Sequence, residues 1–327
     1  MGQRGRRDVG VNLRDLFPQH EVPNDWYHGK RIAVDAHNVA FRYLTSIRGR
    51  DGDVLRGDDG RAIGHLLGFL GLVKQFRERG AEPIIIWDGK VHPRKQATVD
   101  ERIRKREETL ARANAAKAAG DHQLYARLMR GTVYLSDDMI GDATKLLEPL
   151  GVAVTRADHD GERYAAALCH AGHADAVATE DFDALVAGAP TVLRKAGAAA
   201  PFLLHLEDID AHGLSLDQLR ELAIVCGTDW HPGVKGFGPK TAVKAITQYG
   251  SLERLFEQAD EGLLGSRFHK LVAACDLDAA GFVDLKEYIA ALPEPPEPAS
   301  AKPCPEMATA VAEDMGINPE RVLGCFC

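Results

Sequence analysis

The chain has 327 residues, 45% of them apolar, which allows one sizeable domain with an appendage, or two domains. No apolar stretch approaches the roughly 20 residues that cross a bilayer, and the basic N-terminus MGQRGRRDVG lacks the apolar centre of a signal peptide. Membrane-spanning and exported classes are excluded, and an intracellular place is expected, in cytoplasm or nucleoid, or in a nucleus if the source is eukaryotic.

A formal net charge of −8 argues by itself against a polyanionic partner. The distribution says otherwise, because basic residues gather at Arg4, Arg6 and Arg7 and in the run 94–106. The six cysteines, Cys169, Cys226, Cys275, Cys304, Cys325 and Cys327, show neither CxxC pairing nor a zinc spacing, so a reduced compartment and no zinc site are expected. The closing Cys325-Phe326-Cys327 could be a prenylation signal or a thiol pair, and is read instead as an exposed tail.

In chain order, residues 1–9 form a basic extension. RIAVDA (31–36) is the first predicted strand. Ile63, Leu66, Leu67, Leu70, Val73 and Phe76 then follow a 3.6-residue period, which predicts a helix with one apolar face against a sheet. EPIIIWDG (82–89) is the second strand. Residues 94 to about 131 are rich in Arg, Lys, Glu and Ala and poor in large apolar side chains, so they read as helices leaving the core. On composition alone, a solvated surface hairpin is the simpler account of them.

VAVTRA (152–157), DAVATE (175–180), TVLRK (191–195) and PFLLHL (201–206) complete the strands. Their alternation with helices predicts an α/β fold, with a mostly parallel sheet covered on both faces. From 207 to 293 the pattern is helical, EPPEPASAKP (294–303) is a proline-rich linker, and one last helix is predicted near 305–323.

Seven acids, Asp35, Asp88, Asp160, Glu162, Asp181, Asp183 and Asp229, stand at or just beyond the ends of apolar runs. In open α/β sheets ligands bind at the carboxyl ends of the strands. Carboxylates gathered there suit Mg²⁺ or Mn²⁺, which prefer oxygen ligands, and point to metal-assisted phosphoryl chemistry. Helix capping is the competing account of each acid taken singly. Asp229, which follows a helix in CGTDWHPG, is the one that dipole complementarity does not explain.

In GVKGFGPKTAVKAI (233–246), two glycines flank Phe237, Pro239 takes a first helical position and Lys240 lies just inside. A tight glycine turn feeding a helix N-terminus offers backbone N–H groups to an anion. It reads as a helix-hairpin-helix type of grip on a duplex DNA backbone, with Gly236, Gly238, Lys240 and Thr241 as the DNA-binding residues.

IAVDAHNVAFRYL, GRAIGHLLGFL, IIIWDGK, the Asp160-Gly-Glu162 segment, ATEDFDAL and GTDWHPGVKGFGPKTA stand in the order and approximate spacing of one family. With these the chain resembles the flap endonuclease family of XPG-type structure-specific nucleases, over residues from about 10 to 323. The resemblance implies a nuclease core over 10–206, a helical arch at 92–135 and a DNA-binding helical region at 207–293. It also implies a two-metal site, with Asp35, Asp88, Asp160 and Glu162 toward one Mg²⁺ and Asp181, Asp183 and Asp229 toward the other; Mn²⁺ is the expected substitute. Lys95 and Arg102 stand where the family has its two catalytic basic residues, and seven residues is two helical turns. Phe41 takes the place of a base-stacking Tyr, and Arg48 is a candidate phosphate contact. The activity implied is Mg²⁺-dependent 5′ flap cleavage with 5′ to 3′ exonuclease action in replication and repair.

Asp160 replaces the family's usual Glu, shortening that ligand by one methylene. Asp158-His159 replaces a Pro-Ser type pair, and His159 is expected to be exposed. Arg127 and Arg130 are nearby candidates for sensing a flap's 5′ end. The sliding clamp is a partner in the family, but its tail motif is not seen, and a monomer is expected. DLDAAGFVDLKE (276–287) imitates an EF-hand loop but has Ala280 where a ligand belongs, so calcium binding is not expected. Two rivals stay open: a family member that grips branched DNA but cuts poorly, and a phosphatase-like enzyme, which would explain neither the glycine-rich grip nor the basic arch.

Overall fold

The computed structural model describes residues 13–234, 238–260 and 278–326. In chain order the first elements are β1 (His20–Glu21), β2 (Arg31–Asp35), α1 (Ala36–Ser46), α2 (Gly64–Glu78) and β3 (Glu82–Trp87). After a short 3₁₀ turn at Pro93–Lys95 come α3 (Gln96–Ala118), α4 (His122–Met129) and α5 (Asp137–Leu147). The sheet resumes with β4 (Ala153–Arg156), α6 (Gly161–His170), β5 (Ala176–Ala178), α7 (Asp183–Ala187), β6 (Thr191–Arg194) and β7 (Phe202–His205). The remaining elements are α8 (Leu216–Cys226), α9 (Pro239–Tyr249), α10 (Leu252–Asp260), α11 (Ala279–Ala290), α12 (Pro305–Asp314) and α13 (Pro319–Leu323).

All six expected strands form, in a seven-stranded sheet of order β1-β7-β6-β5-β2-β3-β4. The pairs β2–β3, β2–β5, β3–β4 and β5–β6 are parallel, while β7 runs antiparallel to β6 and to β1. The added strand β1 is two residues long, too short for an alternation to show in sequence.

Side chains of a strand point alternately to its two faces, and here both faces are buried. Ala33, Ile84, Ile86, Val177, Val192 and Leu204 enter one core, shared with α6, α7, α8 and α9. Ile32, Val34, Ile85, Trp87, Leu193 and Leu203 enter the other, shared with α1, α2, α5 and α12. That is why the strands read as unbroken apolar runs. Each large side chain so buried contributes roughly 1.5–3 kcal/mol. In α2 the expected stripe is joined by Phe69 and Leu72, so that helix is enclosed on more than one side.

Helices α3 and α4 leave this body as an antiparallel pair with a small core of their own, Ala113, Ala116 and Tyr125. Two features correct the reading from sequence, and a third adds to it. The last predicted helix is two, because the chain turns at Gly316 (φ +67°) and restarts at Pro319. The supposed exposed tail is anchored: Cys325 is fully buried and its Sγ donates to the Leu70 carbonyl at 3.4 Å. The EF-hand imitation is mostly helix, with Asp278 capping α11 and Asp284 and Glu287 along it; residues 276 and 277 lie outside the described residues.

Candidate active site

Parallel strands end on one side of a sheet, and the acids begin there. Asp35 closes β2 and caps α1: Oδ1 accepts from the Asn38 amide at 3.1 Å and Oδ2 from the Thr179 hydroxyl at 2.8 Å. Asp88, one residue past β3, accepts the Gly161 amide at 2.7 Å, and its own amide donates to His37 Nδ1 at 3.0 Å. Glycine is required in this corner. A Cβ on Gly89 would stand 2.0 Å from the Ala157 carbonyl oxygen, and one on Gly161 would stand 2.7 Å from the Asp88 carboxylate.

Asp160 occupies the N-cap of α6 but makes no side-chain capping bond there. Its carboxylate faces the site instead, where Oδ1 meets Lys95 Nζ at 2.6 Å, and Oδ2 accepts from Trp230 Nε1 at 3.2 Å and Tyr288 Oη at 3.3 Å. Glu162 lies in the first turn of α6. After β5, Asp181 Oδ1 accepts the amides of Phe182 at 2.7 Å and Asp183 at 3.4 Å. Asp183 opens α7 at 2% exposure, and its buried Oδ1 has no hydrogen-bond donor. Beyond α8, both oxygens of Asp229 accept from Arg102 Nη2, at 2.8 and 2.9 Å.

These groups bear on one another electrostatically. Burial, then the negative charges of Asp88 and Asp181, push Asp35 up to about 7. Burial, then Asp35, holds Glu162 well above the carboxylate range, although Lys95 pulls the other way. Burial, then Asp181 and Asp229, does the same to Asp183, and burial with Asp229 raises Asp181. Burial works against the Lys95 ammonium, but Glu162, Asp160, Asp229 and Asp183 outweigh it and raise its pKa. Like charges are crowded in low dielectric, and the chain itself offsets them with cations that include Lys95, Arg102 and, beside Asp181, Arg194.

Among the described residues, no three His, Cys, Asp or Glu side chains close on one point tightly enough to form a finished metal-ligand set. The donor chemistry nevertheless fits a hard divalent cation. The crevice offers carboxylate oxygens in excess of nearby positive charge, and Asp183 Oδ1 is a buried acceptor with nothing to accept from.

Lys95 and Arg102 come from the foot of the projecting helices, one ending the 3₁₀ turn and one in α3. Thr98 Oγ1 also donates to the Asp229 carbonyl at 3.1 Å, which ties α3 to the loop after α8. Phe41 presents a 39% exposed ring on α1. Arg48 is not a free surface arginine: Nη2 donates to the Met129 carbonyl at 3.3 Å, and Nη1 is buried without a partner. With Arg50, Lys117, His122, Tyr125 and Arg130 it lines a cavity of about 580 Å³ between the loop after α1 and the projecting pair. Arg127 lies in the last turn of α4.

In the glycine-rich turn, Gly238 is the N-cap of α9 and Pro239 its first residue; Lys240 is 88% exposed, and the Thr241 amide donates to the Gly238 carbonyl at 2.9 Å. Gly236 lies outside the described residues, as do residues 1–12. His159 is exposed, with Nδ1 against the Lys90 carbonyl at 2.9 Å.

His37, Thr179, Trp230 and Tyr288 reach the acids but were not foreseen. The first three adjoin motif residues, and adjacency in DAH, ATED and TDW was the available signal. Tyr288 had none, since its helix lies 128 residues from Asp160 along the chain.

Two family models match the sequence, the XPG N-terminal domain over residues 16–109 and the XPG I-region over 151–229. Flap endonuclease 1 of Picrophilus torridus is 30% identical over 270 residues, covering 78% of this chain and 80% of that protein. The Methanoregula boonei protein of the same name is 34% identical over 265 residues, covering 76% and 79%. Among solved structures, the flap endonuclease-1 of Methanococcus jannaschii superposes with a TM-score of 0.67 at 23% identity, over 97% of this chain and 98% of that one, and shares the fold. The acids after the strands, Lys95 and Arg102 at the foot of the projecting helices and these likenesses converge: the chain belongs to the XPG-type flap endonuclease family.

Proposed function

We propose that the protein is a Mg²⁺-dependent 5′ flap endonuclease with 5′ to 3′ exonuclease activity, which hydrolyses DNA phosphodiester bonds near junctions of single strand and duplex in replication and repair. Its family membership makes it a structure-specific flap nuclease; the exonuclease action and the two-metal mechanism are our reading. The observation that carries the reading is the set of acids after the parallel strands, with Lys95 bound to Asp160 and Arg102 to Asp229 from the start of α3.

Asp35, Asp88, Asp160 and Glu162 would hold one Mg²⁺, and Asp181, Asp183 and Asp229 the second, with Mn²⁺ able to replace either. When bound, the pair supplies Lewis-acid activation of the attacking water and stabilises the leaving 3′ oxygen, leaving a 5′-phosphate and a 3′-hydroxyl. The protein's own part is to place the scissile phosphate. Lys95 and Arg102 face the phosphate from the arch side and offset the charge that builds on it. The exposed Phe41 ring stacks on a base beside the cut. Arg48 and Arg130 hold phosphates of the strand passing under the arch. The turn at Gly236 and Gly238, with Lys240 and Thr241, grips the duplex backbone without reading sequence.

The test is cleavage of a labelled double-flap DNA in Mg²⁺, beside matched single strand and nicked duplex, by wild type and Asp181→Ala. Cutting near the flap base that the variant loses is the expected result. Tight binding without cutting would instead favour the branched-DNA-binding rival and turn attention to Asp160.

A further inference from the structure

We propose that Tyr288 is a positioning residue for Asp160, and that through it helix α11 sets how strongly the crevice holds a divalent cation. The inference rests on reading Asp160 as a cation ligand.

Asp160 reaches less far than a glutamate would, so its aim matters more. Its two oxygens are treated differently: Oδ2 accepts from Tyr288 Oη at 3.3 Å and from Trp230 Nε1 at 3.2 Å, while Oδ1 points to Lys95 Nζ at 2.6 Å, into the crevice. With Oδ2 taken by two donors, Oδ1 is the oxygen presented to a cation. Two donors on one oxygen also fix the rotation of the carboxylate, which a single bond would leave loose.

Tyr288 is itself held from several sides. The Arg163 guanidinium lies 4.2 Å from its ring centre, and the same side chain donates to the Tyr288 carbonyl at 2.7 Å and to that of Ala291. The His92 ring packs at 4.5 Å, and Arg94 pairs with Asp284 on the same helix. Tyr288 thus joins α6, the foot of the arch and α11 at one carboxylate. If it served packing alone, its hydroxyl would not matter, and that difference can be measured.

The experiment titrates Mn²⁺ into the full chain without DNA and follows loss of the free-ion electron paramagnetic resonance signal, for wild type, Tyr288→Phe, Trp230→Phe and Asp160→Asn. Tyr288→Phe keeps the ring under Arg163 and removes only the donor. We expect it to raise the dissociation constant of one Mn²⁺ about tenfold while melting close to wild type in the absence of metal. Trp230→Phe, which keeps a ring against Lys95, should act in the same direction. In the Asp160→Asn background, Tyr288→Phe should add nothing. Unchanged Mn²⁺ binding in Tyr288→Phe and Trp230→Phe, beside a clear loss in Asp160→Asn, overturns the role of Tyr288 alone. Unchanged binding in Asp160→Asn overturns the ligand reading and the inference with it.

Discussion

Lys95 shows how one side chain can serve two states. In the structure its ammonium satisfies Asp160 and feels Glu162, Asp229 and Asp183. Over a bound phosphate the same charge would meet the transition state. Lys95→Ala should therefore slow single-turnover cleavage by about 10²–10³, the usual cost of losing one preorganised transition-state donor, and weaken DNA binding far less. Equal losses in the cleavage rate and in binding contradict the assignment. The acids make a second prediction. A carboxyl whose folded pKa is raised, as Asp35 is to about 7, takes up a proton where the unfolded chain, near an ordinary value of about 4, has none. That uptake stabilises the fold at low pH and is lost as pH rises through about 7. Metal-free protein in chelator should melt lower at pH 7.5 than at pH 5.5. The gap should narrow in Asp35→Asn, and Mg²⁺ should narrow it in wild type; a melting temperature that rises over this range would refute the crowding of charge.

At the scale of elements, the projecting pair α3 and α4 carries the weakest signal in the sequence. Its composition suits a solvated hairpin, and among the described residues only Ala113, Ala116 and Tyr125 form its buried core. What distinguishes it is where it is tied. The Tyr125 hydroxyl donates to Asp53 at 2.6 Å at one end, while Lys95 and Arg102 bind acids at the other. Such partners lie far apart in sequence, so helical periodicity cannot register them. In the body, α1 and α2 approach so closely that a Cβ on Gly68 would lie 2.1 Å from the Tyr43 ring. Gly68→Ala should destabilise the fold by about 1–3 kcal/mol through overpacking, despite the helix propensity of alanine, and a urea unfolding series would show it. A stabilised variant would mean that the two helices can part at little cost.

Across the whole molecule, an acidic chain that binds DNA must present basic side chains to phosphates locally. Buried acids line the crevice, while Lys240 stands exposed outside it, 3.5 Å from the Asp15 carboxylate. DNA affinity should thus fall steeply with salt in spite of the net charge of −8. Lys240→Ala should reduce the slope of log affinity against log salt by about one if it holds a single phosphate. An unchanged slope would remove Lys240 from the interface. The C-terminal segment closes the body from outside: the Arg77 guanidinium donates at 2.9 Å to the carbonyls of both Leu150 and Cys325.

By itself the sequence determined the α/β class, the six strands seen in the sheet and the acids that gather at their ends. These depend on local alternation and on the residues just beyond each strand, and both are written in neighbouring positions. The short β1, the break before Pro319, the buried Cys325 and the bond from Tyr288 to Asp160 were decided only by tertiary structure. Three of these depend on a partner far along the chain, which becomes a neighbour only once the sheet has set the directions of its helices; the break is local, made by Gly316 at φ +67° and the Asn318 cap before Pro319. Asp35 belongs to both accounts: its place at a strand end predicted a cap or a ligand, and in the structure it caps α1 with one oxygen while the charges of Asp88 and Asp181 bear on it from across the crevice.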